Sequence, residues 1–200
     1  AAVRLGARHV RLTGGEPLVR PGIAGLVSRL ARVQDLEDLS LSTNGMGLAS
    51  LAEDLLRSGA RRVNVSLDTL KPERFAGIAR FGSLDQVWRG IDGALAAGFF
   101  PVKLNVVVMR GVNDDEIPDF VGLTRRLPLH VRFIELMPVG ETGFFTPERW
   151  LPMPDIQARC GELEPLPADR WPTGHGPAAY RRAPGGLGTV GFIGALSCNF

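Results

Sequence analysis

Cysteine is scarce in this chain, with Cys160 and Cys198 the only two in 200 residues. Two thiols cannot build a disulfide framework, nor complete a metal site by themselves. Long hydrophobic runs are missing too: no apolar stretch approaches the roughly 20 residues that span a bilayer, and no charged-then-apolar leader opens the sequence. These absences point to a cytoplasmic protein without a membrane partner. Charge of one sign does not dominate, since 23 Lys+Arg stand against 21 Asp+Glu for a net charge of +2. A dedicated nucleic-acid binder working through overall charge is thereby excluded. Lysine is nearly absent: Lys71 and Lys103 are alone among those 23 basic residues. Against an arginine background, each lysine stands out.

What is present is the composition of a globular protein with one sizeable core, 44% hydrophobic and 22% charged. Short β-like runs alternate with helical patterns through about residue 137, which predicts repeated βα units around a parallel sheet. Strands are expected near 8–13, 38–42, 62–67, 101–108 and 130–136. Between them, "GIAGLVSRLARV", "LASLAEDLLRSG", "SLDQVWRGIDGALAAG" and "DDEIPDFVGLTRRL" repeat apolar residues at helical spacing. The expected organisation is an α/β partial barrel over 1–140. Residues 141–200, rich in proline and glycine, read as an irregular extension with brief β pieces around 161–166, 177–183 and 187–194, not another βα unit. The chain opens at Ala1 and stops just after "VGFIG", which reads as a piece of a longer polypeptide.

The expected strands alternate in polarity, although buried parallel strands are normally apolar throughout. Val10, Leu12, Leu39, Leu41, Val63, Val65, Val102, Leu104, Val131 and Phe133 would face covering helices. The opposite face carries Arg11, Thr13, Ser40, Ser42, Asn64, Ser66, Lys103, Asn105 and Arg132. In a curled sheet these line the lumen, where ordinary small barrels pack branched apolar residues. Three inward cations suit an anionic ligand, because a buried unpaired charge costs several kcal/mol. An open sheet with one solvated face would show the same alternation.

Three strands end in small polar groups. "VRLTGGEPLVRP" breaks into Gly14 and Gly15, where backbone can approach a ligand, and Glu16, which Pro17 pushes toward extended geometry. "LSLSTNG" and "VNVSLDTLKPE" end in hydroxyls, a turn signal and Asp68. Lys103 suits either an ammonium paired with phosphate or a nucleophilic amine forming a Schiff base in a cluster-free lyase or aldolase. A salt bridge to Glu135 is the structural alternative; for Arg132 it is a bridge to Glu16 or Glu135. His9, His130 and His175 show no metal-ligand spacing.

"VRLTGGEPLVRP", "LSLSTNG", "VNVSLDTL", "VKLNVVVMRGVND" and "VRFIELMPVG", in this order, resemble the GTP 3′,8-cyclases. These are radical S-adenosylmethionine (SAM) enzymes that open molybdenum-cofactor biosynthesis. The resemblance implies a (βα)6-type radical SAM barrel. It implies that Gly14, Gly15, Glu16, Ser66 and Met137 hold SAM, with Gly14 and Glu16 meeting the amino end of its methionine moiety. It places Arg11, Ser42 and Lys103 on GTP, and Arg132, on the same inward face, is a plausible third cation for the triphosphate. Position 42 is usually threonine in the family, so serine keeps the hydroxyl but positions it more loosely. The family also carries two [4Fe–4S] clusters, an electron donor and known homodimers. Both cysteine triads that would hold the clusters are missing from these residues, and Cys198 is poorly placed for the second. The resemblance therefore implies a cyclase whose clusters are ligated outside this stretch, the 200-residue chain being inactive by itself; a degenerate nucleotide-binding homologue is the alternative.

Overall fold

The computed structural model describes residues 2–79, 81–137, 146–174 and 176–195. Strands β1 (His9–Leu12), β2 (Asp38–Thr43), β3 (Arg62–Ser66), β4 (Val102–Val108) and β5 (Leu129–Glu135) form where the apolar alternation predicts them. Between them lie α1 (Ile23–Ala31), α2 (Leu48–Arg57), α3 (Pro72–Ile78), α4 (Leu84–Ala97) and α5 (Ile117–Arg126). Helix α6 (Met153–Arg159) and strands β6 (Glu164–Pro165), β7 (Ala179–Arg182) and β8 (Thr189–Ile193) follow. Helix α3 escaped the sequence reading because its seven residues, "PERFAGI", are too short to show a helical period.

The chain divides into two units, Ala1–Ser66 with Ala79–Lys103, and Leu67–Ile78 with Leu104–Phe200. In the first unit β1, β2 and β3 run parallel, Arg11 level with Ser40 and Ser42 level with Asn64. One face is apolar and closed: Leu39, Leu41, Val63 and Val65 are buried beneath the helices. Each fully buried side chain of this kind contributes about 1.5–3 kcal/mol. Helix α4 starts with a capping box, Ser83 and Gln86 each bonding the other's backbone N–H, and packs against α2. Gly90 permits a close approach there, since a Cβ at this position would sit 2.1 Å from the Gly45 carbonyl oxygen.

The second unit takes up β4 from Leu104 in the order β4-β5-β8-β7-β6. This corrects one expectation. The region after about residue 140 was expected to add no βα unit, yet after α6 the chain returns as β8, parallel to β5, with His130 level with Thr189. The β6–β7 pieces then run antiparallel at its flank. The three β pieces lie within the ranges expected from sequence, but all five β8 residues are buried, and no local pattern marked this piece as a parallel strand of the main sheet. Phe133 joins this strand to the core, edge-on to Phe120 at 6.2 Å and tilted against Phe192 at 6.3 Å. Among the described residues no helix is long and apolar enough to cross a membrane.

Candidate functional site

In the first unit, the loop after β1 is shaped by its glycines. Gly14 has φ +129°, a conformation that side chains other than hydrogen rarely adopt, and a Cβ at Gly15 would meet nothing within 4 Å. The backbone here is bare and approachable. Glu16 is extended, as its position before proline requires, at φ −137° and ψ 113°. Its carboxylate turns back onto the chain. Oε1 accepts from Thr43 Oγ1 at 2.7 Å and Leu18 N at 3.0 Å, and Oε2 from Asn44 N at 2.7 Å. Glu16 therefore staples the loop after β1 to the loop after β2 and caps the short 3-10 helix Pro17–Val19. Of about four lone-pair directions on a carboxylate, one on Oε2 is left for an outside donor such as an ammonium. Beside it, Glu16, Leu18, Val19, Asn44, Met46 and Phe81 line a pocket of about 580 Å³.

The polar face of the same unit holds Arg11 exposed, Ser42 half-buried and Ser66 exposed, while Lys103 is only 3% exposed on β4. Asn64, wholly buried, donates from Nδ2 to Ser42 Oγ and to the Leu41 carbonyl, both at 3.3 Å. Sequence reasoning missed a further cation on this face. Arg62 begins β3 and donates Nε to Asp38 Oδ1 at 2.8 Å, with a second bond from NH2 to Oδ2. The two-residue period that turns Asn64 and Ser66 to this face also turns Arg62 to it, and the β2–β3 register, Ser40 level with Arg62, brings it to Asp38.

The second unit carries the remaining candidates. Arg132 is buried and donates Nε to Asn105 Oδ1 at 2.8 Å. Glu135 accepts from Trp150 Nε1 at 2.9 Å and Ala195 N at 3.1 Å, and Met137 is half-buried just beyond β5. Asp68 accepts from Val107 N at 2.8 Å, while Asn113 bonds the Asp68 carbonyl at 2.7 Å, the Val107 carbonyl at 2.9 Å and Met109 N at 2.7 Å. Burial raises the Asp68 carboxyl above the usual range, against the lowering effect of the Val107 N–H. A raised folded-state pKa contributes stability that is fully present below the unfolded value and is lost as pH rises through the folded one. Asp68→Asn keeps an acceptor for Val107 and removes the charge. The variant is expected to melt higher than wild type at about pH 7.5, the gain vanishing near pH 3. Thermal melts across that range check this, and a wild-type advantage growing with pH would refute it.

Among the described residues no group of three His, Cys, Asp or Glu is arranged to hold a metal. Cys160 is buried and its thiol is pushed up to about 12, the wrong direction for a thiolate ligand. His130 Nδ1 sits 2.8 Å from Thr189 Oγ1; Cys198 and His175 lie outside the described residues. The residues described do not fit an iron–sulfur cluster.

Parallel βα units with a bare Gly-Gly-Glu-Pro loop at the end of the first strand define an α/β fold of the partial-barrel class. Residues 1–124 match the Radical SAM superfamily, and the chain belongs to it. The GTP 3′,8-cyclase of Heliobacterium modesticaldum is 50% identical over 203 residues, covering 100% of this chain and 61% of that protein. That of Moorella thermoacetica is 50% identical over 199 residues, with the same coverage of 100% and 61%. The chain thus spans about 61% of the length of these curated relatives. Among solved structures, a radical SAM methyltransferase from Sphaerobacter thermophilus superposes with a TM-score of 0.61 at 19% identity, over 79% of this chain and 49% of the other. A domain of pyruvate-formate lyase-activating enzyme from Bacteroides vulgatus gives 0.59 at 16% identity, over 76% and 89%. At these identities the structural likeness speaks for the fold alone.

Proposed function

We propose that this chain is part of a GTP 3′,8-cyclase, which converts GTP to 3′,8-cyclo-7,8-dihydro-GTP in the first step of molybdenum-cofactor biosynthesis. The observation that carries the reading is 50% identity to proteins of that name along the whole chain. SAM, when bound, supplies the radical chemistry that starts the cyclisation. The chain's own residues bind and orient. Gly14 and Gly15 offer bare backbone, Glu16 the remaining lone pair for an ammonium, and Ser66 and Met137 further contacts to SAM. Arg11, Lys103 and Arg132 neutralise the triphosphate, for which a guanidinium fork and a point charge are suited. Ser42 orients the nucleotide by its hydroxyl.

Residues 1–140 make the partial barrel in this reading, and 141–200 lead toward the second cluster region. The two [4Fe–4S] clusters belong to the whole protein, whose setting is cytoplasmic, with an electron donor and a second copy of itself as partners.

The test is to read the coding DNA on both sides, then to express the whole gene and reconstitute it anaerobically. A C-x3-C-x2-C motif upstream, a cysteine pair just beyond Phe200, and SAM-dependent formation of the cyclised nucleotide are expected. The 200-residue chain alone should bind no stoichiometric iron and turn nothing over. Cysteine-free flanks, or a reconstituted protein that leaves GTP intact, would overturn the proposal in favour of a nucleotide-binding homologue without turnover.

A further inference from the structure

Asn64 and Ser42 are direct cross-strand neighbours on the polar face of the first unit, paired in the β2–β3 register. The Asn64 side chain is wholly buried, so its amide must find partners within the protein. Its orientation is decided by the Leu41 carbonyl 3.3 Å away, an oxygen that can only accept. The amide nitrogen faces that oxygen, and the same nitrogen lies 3.3 Å from Ser42 Oγ. An amide nitrogen donates and does not accept, so Ser42 is the acceptor in this bond.

The consequence lies in the hydroxyl's other half. A serine hydroxyl has one hydrogen and two lone pairs, and with Asn64 donating into one lone pair, that hydrogen is directed away from Asn64. Serine also lacks the second Cβ substituent that restricts threonine at χ1, so its rotamer must be held from outside. Asn64 does so from the neighbouring strand. Resting on the reading that Ser42 contacts the nucleotide, we infer that Asn64 is a positioning residue which makes the Ser42 hydroxyl a hydrogen-bond donor. The ligand atom that this hydrogen meets is then an acceptor, on the phosphates or on the nucleoside.

The experiment measures GTP and SAM dissociation constants calorimetrically in the full-length protein, for Ser42→Ala, Asn64→Leu, Asn64→Asp and the Ser42→Ala/Asn64→Leu pair. Ser42→Ala is expected to weaken GTP about tenfold. Asn64→Leu removes the donor at similar size, and Asn64→Asp reverses the bond by drawing the serine hydrogen to itself. Either that folds should weaken GTP to the same degree, with SAM changed less than about twofold and the double variant no worse than the worse single one. Ser42→Thr in the Asn64→Leu background should recover most of the loss by restricting χ1. Repeating Ser42→Ala with guanosine separates the two sources: a loss that disappears assigns a phosphate oxygen, and one that persists assigns an acceptor of the nucleoside. An unchanged GTP affinity in both Asn64 variants, or fully additive losses, would overturn the inference while leaving the Ser42 contact standing. An unchanged affinity in Ser42→Ala would remove the nucleotide contact itself, and the inference with it.

Discussion

Lys103→Ala is expected to weaken GTP binding about 10- to 100-fold while changing SAM affinity less than about twofold. A hydrogen bond to a charged group is worth about 1.5–3 kcal/mol, and each 1.4 kcal/mol is tenfold in affinity. The side chain is only 3% exposed, so its ammonium acts away from bulk water, where the interaction is screened least. Calorimetric titration of the full-length protein with each ligand checks the split. Equal losses for GTP and SAM would count against assignment to the triphosphate. Lys103→Arg separates the two chemistries open to this lysine. Arginine keeps the positive charge and should retain part of the GTP affinity, whereas a Schiff-base lysine would lose its function entirely and wild type would be trapped with borohydride and a carbonyl substrate.

The second large effect is on stability. Glu116 is wholly buried at the start of α5 and accepts from Thr69 Oγ1 at 2.7 Å and Leu70 N at 2.5 Å, while Arg74 bonds its Oε1. It ties the segment after Leu67 to α5 within the second unit. Removing it leaves two donors without their acceptor, one of them wholly enclosed. Arg74 keeps Asp115 as a partner, so its charge is not stranded. Glu116→Ala should therefore cost about 2–4 kcal/mol, short of the full penalty for breaking a buried pair. Glu116→Gln, which keeps acceptor oxygen but loses charge, should cost about half as much. Urea melts read this as a lower midpoint at unchanged slope; a midpoint shift under about 0.5 kcal/mol for the alanine variant would show that water replaces the carboxylate. Asp115 behaves oppositely to Asp68. Arg74 and Lys71 hold it well below the usual carboxylate range, so its contribution is present above the unfolded value and lost as pH falls.

Legibility followed chain distance. The five early strands were visible because each alternates Val or Leu with a polar residue over four to seven positions, and their helices because apolar residues recur at 3–4 spacing. The glycine loop was visible because Gly-Gly-Glu-Pro after a strand is a rare arrest. Strand β8 was visible as a β piece around 187–194, but its parallel place beside β5 was not, because that pairing spans a long irregular connection. The site was half legible. Residue types and strand ends could be read, but the partners of each polar group depend on register, as with Arg62 on Asp38 and Arg132 on Asn105.

Local pattern alone determined the βα repeat, the two-sided strands, the cationic polar face and the kinship with radical SAM proteins, since all depend on residue order over short spans. Tertiary structure decided that Glu16 turns its carboxylate inward to Thr43, Leu18 and Asn44, that Asn64 donates to Ser42 Oγ, and that β8 returns beside β5. The physical reason is common to all three. A buried hydrogen-bonding group must be satisfied by whichever neighbour the packed chain brings within 3.5 Å, and that neighbour is chosen by strand register and loop path rather than by adjacency in sequence.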